Sequence, residues 1–221
     1  MNILFDGCSW TKGTELKNKE RDRFSTLVSQ DTGNKHVNLG EGGKSNDGIL
    51  RTTINYCETH KVDFAIIQFT KIQRREILNT DIEGKHTKDG YFCLKATNKD
   101  KVSRSYFANL NTQEDDIANY YKNKFLLEKY FYSNLIPFFF LNLNRNVLTT
   151  KPSSWQTLSE TEPVACLYDI LQPDLEYFGI EQIREEKLGE IGKIKGFSTH
   201  PNAKGHRKIA DYIINQLESR L

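Results

Sequence analysis

Short continuous apolar runs alternate along the chain with stretches in which apolar residues recur at helical spacing. The run Ile3-Leu4-Phe5 predicts a buried first strand over 2–5 that leads directly into a turn. Phe24, Leu27 and Val28 share one side of a helix predicted over 20–30, which Asp31-Thr32-Gly33-Asn34 ends. A second strand is predicted over 36–39, followed by a glycine-rich turn at 40–43 and a helix to about His60, with Ser45 or Asn46 as its N-cap. The run Phe64-Ala65-Ile66-Ile67 within 63–69 is the strongest central strand. Its unbroken apolar character suits a parallel sheet covered on both faces. Residues 136–143, with Pro137-Phe138-Phe139-Phe140-Leu141, predict the next strand. Ile209, Ala210, Ile213, Ile214 and Leu217 place a closing helix over 201–221.

Two stretches break this alternation. Residues from about 77 to 111 are polar and read as an excursion from the sheet. Residues from about 144 to 195 carry Pro152, Pro163 and Pro173 between short apolar pieces. The fold class expected is α/β: one domain over 1–221, a three-layer, doubly wound parallel sheet of flavodoxin-like type with irregular insertions at 77–111 and 144–195.

The helix containing Ile117, Tyr121 and Phe125 interleaves lysines with aromatics at 120–132. That pattern has two readings, a single-stranded nucleic-acid platform or a core helix with lysines reaching its edges. The four-residue recurrence favours the core. Lys+Arg 31 against Asp+Glu 29 gives a net charge of +2, too balanced to announce nucleic acid or an anionic membrane. Apolar runs stay well below membrane-spanning length, and strand one begins almost at Met1 without a basic leader. Cys8, Cys57, Cys93 and Cys166 are widely spaced, as reduced thiols are. A cytoplasmic protein is expected, with no cofactor, no metal, no nucleic-acid partner and no membrane partner; oligomeric state is left open.

Candidate chemistry lies at the two ends of the chain. Ser9, in Phe5-Asp6-Gly7-Cys8-Ser9-Trp10-Thr11-Lys12-Gly13, stands just past the carboxyl end of strand one, where open α/β sheets keep their ligand sites. A serine hydroxyl attacks only when a base takes its proton. The candidate base is His200, in Ser198-Thr199-His200-Pro201-Asn202. Ser9 otherwise reads as a turn serine capping a helix, and His200 as a structural helix-start histidine. Cys8 is a rival nucleophile. His206 invites a metal reading with His200, but six residues is not the spacing that puts two histidines on one helical face.

Gly7-Cys8-Ser9-Trp10-Thr11-Lys12-Gly13 resembles the first sequence block of the SGNH (GDSL-type) hydrolases, with Cys8 where most members carry Asp. Asn38-Leu39-Gly40-Glu41-Gly42-Gly43 resembles the second block, and His200-Pro201-Asn202-Ala203-Lys204-Gly205-His206 the last. The resemblance implies Ser9 as nucleophile, His200 as base and the Ser9 and Gly43 N–H groups as oxyanion donors. Two departures stand out. The family's asparagine donor after strand three falls on Ile72, leaving Thr70, Gln73 or Asn46 as side-chain donors; Asn46 reads equally as a helix cap. The family's histidine-orienting acid falls on Phe197, or on Ser198 in a shorter spacing. Ser9–His200 then works as a dyad held by a backbone carbonyl or Ser198, or an acid comes from Asp169, Asp174 or Glu190. Arg74 or Arg75 is a candidate partner for a substrate carboxylate or phosphate, or part of a surface Arg–Glu arrangement.

The implied activity is hydrolysis of a carboxylic ester, an O-acetyl group on a sugar or a small acyl ester, through an acyl-enzyme on Ser9. Alternatives are an acyltransferase using the same site and a catalytically silent binding or assembly module of the same fold.

Overall fold

A computed structural model describes residues 1–78, 90–143, 165–171 and 200–219. Five parallel strands form the central sheet: β1 (Asn2–Asp6), β2 (Lys35–Asn38), β3 (Phe64–Phe69), β6 (Phe138–Asn142) and β7 (Ala165–Cys166). Their spatial order is β2-β1-β3-β6-β7, the doubly wound order the alternation predicts. Ile3 pairs with His36 on one side and Phe64 on the other, so β1 lies at the point where the winding reverses.

The pleat divides each central strand between two cores. Ile3, Phe5, Phe64, Ile66 and Leu141 face α3 (Phe24–Thr32), α7 (Leu167–Leu171) and α8 (Ala203–Glu218). Ala65, Ile67, Phe69 and Phe140 face α4 (Asn46–Cys57) and α6 (Gln113–Ser133). The aromatics of α6 are core residues: Tyr120, Tyr121 and Phe131 are buried, and Lys124 is buried in an ion pair with Glu128. That helix belongs to the sheet.

Three predicted elements need correction. The helix expected over 20–30 is two, α2 (Lys19–Asp22) and α3, separated by Arg23 in extended conformation (φ −72°, ψ 145°). The first amide of α3, Phe24 N–H, donates to His206 Nδ1 on α8 at 3.2 Å, a long-range cap that local periodicity does not reveal. The closing helix spans Ala203–Glu218, with Asn202 Oδ1 accepting from Gly205 N–H at 3.0 Å. The excursion from the sheet contains a hairpin, β4 (Arg75–Leu78) with β5 (Tyr91–Leu94), and a helix, α5 (Lys101–Asn109). Its hydrophobic signal is weak because this two-stranded sheet rests on α4 by polar contacts: Arg51 pairs with Glu76 at 2.9 Å, and Asp47 accepts from Glu76 N–H at 3.0 Å. The second irregular stretch is described only at β7 and α7. Among the described residues, no helix is long and apolar enough to cross a membrane.

Candidate active site

The carboxyl ends of β1, β2 and β3 converge, and each contributes a turn. After β1 the chain passes through Gly7 and Cys8 into α1 (Ser9–Lys12), a single helical turn. A Cβ on Gly7 would overlap Thr11 Oγ1 and lie 2.8 Å from Gln68 Oε1, so only glycine lets this turn sit against β3. Gln68, fully buried, uses its one carbonyl oxygen to accept from Cys8 N–H (3.1 Å), Cys8 Sγ (3.2 Å) and Thr11 Oγ1 (3.0 Å). The Cys8 thiol is therefore engaged beneath the turn. Asp6, at the end of β1, is equally buried and accepts from Gly7 N–H, Lys44 Nζ, Thr52 and Thr53. Desolvation pushes its carboxyl upward, with Lys44 and the hydrogen bonds opposing. This buried ion pair, 2.5 Å from Lys44 Nζ to Asp6 Oδ1, ties the second turn to the first.

Ser9 and His200 meet. The Ser9 hydroxyl lies 2.8 Å from His200 Nε2, across 191 residues of sequence. His200 precedes Pro201 and the α8 cap Asn202, so the start of that helix fixes the imidazole. Its Nδ1 lies 3.1 Å from Glu15 Oε2. The histidine is thus held by a carboxylate, which corrects the expected dyad held by a neutral acceptor. This carboxylate comes from the loop after α1, six residues beyond the serine. Ser198, Asp174 and Glu190 lie outside the described residues.

Glu15 is held in place by its neighbours. Gly13 N–H and Thr14 N–H donate back to Trp10 O and Ser9 O at 3.2 and 2.9 Å, curling the loop over α1. Leu16, 2% exposed, anchors the next residue in the core. Between them Glu15 takes φ +74°, a left-handed conformation that costs a side-chain-bearing residue about 1–2 kcal/mol. Strain of this kind persists where surrounding contacts over-determine it, and such places are frequently functional. A cavity of about 480 Å³ opens beside this loop, lined by residues from Lys12 to Glu20. Another, of about 490 Å³, lies at the opposite end of β1 and β2 around Lys35 and His60.

The second turn reaches the Ser9 loop through Glu41 N–H, which donates to Gly7 O at 3.1 Å. Gly43 in this turn has φ +79°. Among the described residues its N–H donates no hydrogen bond, so it is not committed to regular structure. Ser45, not Asn46, caps α4 by accepting from Gly48 N–H at 3.0 Å. Asn46 is 1% exposed and bridges to the end of β3: its Oδ1 accepts from Thr70 N–H at 2.8 Å and its Nδ2 reaches Thr70 O at 3.5 Å. Thr70 is buried and its hydroxyl accepts from Arg74 Nη1 at 2.8 Å, whereas Gln73 is exposed. Ile72 is 8% exposed and packs into the α4–α6 core rather than standing in for a polar donor. Arg75 pairs with Asp115 and Asp116, the structural role weighed for it.

His206 does not join His200. Its ring is fully buried, stacks on Phe24 at 5.6 Å and accepts from Phe24 N–H, and burial pushes its pKa down to about 3. Among the described residues, no group of three metal-ligating side chains gathers. Two features were missed in the sequence. Glu15 gives no local sign of pairing with a histidine at the other end of the chain. Gln68, a polar residue inside the apolar run of β3, was a visible signal, since an uncharged amide there needs specific partners.

No protein-family model and no curated protein matches the sequence. Solved structures do match along nearly the whole chain. A protein assigned to the G-D-S-L lipolytic family from Desulfitobacterium hafniense DCB-2 aligns at TM-score 0.55 and 11% identity, over 97% of this chain and 98% of that one. The psychrotrophic esterase EstA from a Pseudoalteromonas species aligns at TM-score 0.57 and 12% identity, over 99% and 97%. The acetyl xylan esterase Est2A from the rumen bacterium Butyrivibrio proteoclasticus aligns at 0.53 and 11%, over 99% of this chain and 64% of that one. At these identities the likeness is one of architecture: the chain has the three-layer sandwich of the GDSL-type hydrolases.

Proposed function

We propose that the protein is a serine hydrolase cleaving a carboxylic ester, an O-acetyl or other small acyl group, through an acyl-enzyme on Ser9. The observation that carries this reading is the continuous line from Ser9 Oγ through the His200 imidazole to the Glu15 carboxylate, at 2.8 and 3.1 Å. Both distances fall in the range at which proton transfer and orientation operate. The esterase structures of the same architecture support it as an analogy of fold.

In this mechanism Nδ1–H donates to Glu15, leaving Nε2 free to take the Ser9 proton as Oγ attacks the carbonyl carbon. The tetrahedral intermediate puts negative charge on the former carbonyl oxygen. The Ser9 N–H, at the start of α1, and the uncommitted Gly43 N–H are the donors proposed to meet it, with Asn46 and Thr70 behind them as side-chain donors at the end of β3. The C–O bond to the alcohol breaks and His200 returns its proton to the departing alkoxide. Water then attacks the acyl-Ser9 ester with His200 again as base, releasing the acid and restoring the serine. An alcohol acceptor in place of water makes the same site an acyltransferase. Ile72 in place of the family's asparagine donor favours the remaining alternative, a silent binding module.

The test is hydrolysis of a short-chain aryl acetate by wild type, Ser9→Ala and His200→Ala. Turnover in wild type that falls at least about a thousandfold in each variant is expected, since these groups act as one unit. Equal turnover by wild type and Ser9→Ala would sink the proposal for this substrate class.

A further inference from the structure

Around the Gly43-Lys44 dipeptide, which holds the candidate oxyanion donor, the structure gathers two cations that no carboxylate among the described residues neutralises. The β4–β5 hairpin brings them there. Clamped on α4 through Arg51, whose guanidinium pairs with Glu76 and lies 4.0 Å above the Tyr91 ring, the hairpin directs Cys93 and Lys95 at the turn. Cys93 Sγ donates to Gly43 O at 3.3 Å. Lys95 Nζ lies directly over Gly43, so that a Cβ there would overlap the ammonium. Arg74 Nη1 donates to Lys44 O at 3.3 Å and to Thr70 Oγ1 at 2.8 Å. Both cations are close enough to the Cys93 thiol to pull its pKa down, although burial prevails and pushes it up to about 11.

The charge pattern is what needs explaining. Three neighbouring cations have carboxylates: Lys44 has Asp6, Arg51 has Glu76, and Arg75 has Asp115 and Asp116, whereas Lys71, which forms no ion pair among the described residues, is exposed to solvent rather than partly buried. Of the acids whose charge reaches Cys93, Glu76 is held by Arg51, and Asp47 accepts from Glu76 N–H and Asn123 Nδ2; Glu41, in the turn itself, is exposed and forms no ion pair among the described residues. Glu15 is engaged with His200. Among the described residues, Lys95 and Arg74 form no ion pair. Two like charges, each partly buried and sharing one dipeptide, repel unless an anion lies between them. A developing oxyanion is transient and leaves that repulsion in place in the resting protein.

We infer that the ester this site takes carries a permanent anionic group, a carboxylate or a phosphate, seated by Lys95 and Arg74 beside Gly43. The inference rests on the ester-hydrolase reading for its chemistry but on separate residues for its evidence. Lys95 supplies a mobile point charge and Arg74 a planar donor set already anchored by its Nη1. Neutral esters lack the second anchor.

Two matched ester pairs test this at low ionic strength: 4-acetoxybenzoate against 4-methylphenyl acetate, and phenyl hydrogen adipate against phenyl hexanoate. In at least one pair kcat/KM for the anion is expected to exceed that for its neutral partner by about tenfold, or about 1.4 kcal/mol. Lys95→Met should reduce that ratio to near one, Lys95→Arg should keep most of it, and Lys95→Glu should invert it. Ratios below about fivefold in both pairs overturn the inference, as does a Lys95→Met variant that lowers kcat for both partners alike, which would make Lys95 an oxyanion donor instead. Calorimetry separates this from the hydrolase reading. The amide 4-acetamidobenzoate should bind wild type at least about tenfold more tightly than N-(4-methylphenyl)acetamide, with the difference lost in Lys95→Met. Anion-selective binding without any ester turnover keeps the anion site and removes the hydrolase. Serine-dependent turnover without anion selectivity does the reverse.

Discussion

Glu15→Gln isolates what the carboxylate contributes, because the amide keeps an oxygen to accept from His200 Nδ1 and loses only the charge. In the proposed mechanism the imidazole becomes cationic during attack, 3.1 Å from a carboxylate oxygen. Opposite unit charges at about 4 Å attract by about 1 kcal/mol in water and about 4 kcal/mol at the effective dielectric near a protein surface. Glu15 and His200 side chains are 29% and 20% exposed, so screening by solvent places the pair between these limits, at about 2 kcal/mol. That is about a 30-fold loss in kcat. The assay is steady-state hydrolysis of an aryl acetate by wild type, Glu15→Gln and Glu15→Ala, with urea unfolding to show that each is folded. Glu15→Ala should lose more than Glu15→Gln, since it also frees the ring to rotate. Activity in Glu15→Gln within twofold of wild type, alongside an inactive His200→Ala, would refute the assignment of Glu15 as the orienting acid.

Gln68→Leu strands the Cys8 and Thr11 donors beneath the Ser9 turn; a loss of about 3 kcal/mol in unfolding free energy is expected by urea titration, with activity falling as the turn loosens. Lys44→Met leaves Asp6 as an uncompensated buried carboxylate and should cost about 3–5 kcal/mol, while Lys44→Met combined with Asp6→Asn should cost less than the sum of the two changes. His206 gives a pH dependence of known sign. Its folded pKa, about 3, lies below the ordinary value of 6.5, so the unfolded chain binds the extra proton and stability falls as pH drops below about 6.5. The contribution is about 1.4 kcal/mol per pH unit, roughly 2 kcal/mol between pH 7 and 5, and urea midpoints should show it vanish in His206→Asn.

Four of the five sheet strands were legible in the sequence because burial on both faces leaves unbroken apolar runs such as Phe64-Ala65-Ile66-Ile67, whereas the two-residue β7 is too short to show a pattern and fell in a stretch read as irregular. Ser9 and His200 were legible because Ser9 follows directly on an apolar strand run and because the blocks around both residues resemble those of the SGNH hydrolases. Glu15 was not, since nothing in Thr14-Glu15-Leu16-Lys17 distinguishes a carboxylate aimed at His200 from one aimed at solvent; the partner is 185 residues away and the contact exists only after α8 docks. The same holds for the Arg23 break, which depends on an amide donated to His206. The β4–β5 hairpin was hidden because its strands are short and its anchorage is ionic. Hydrophobic periodicity reports core contacts, and these three features are polar and long-range.

The most direct measurement is covalent trapping by an alkyl phosphonate ester that mimics the tetrahedral intermediate, read by peptide mass spectrometry. A single adduct on Ser9 is expected in wild type, absent in Ser9→Ala and formed much more slowly in His200→Ala. An unlabelled Ser9 under conditions that label an active serine esterase, or an adduct on Cys8 instead, would contradict Ser9 as the nucleophile.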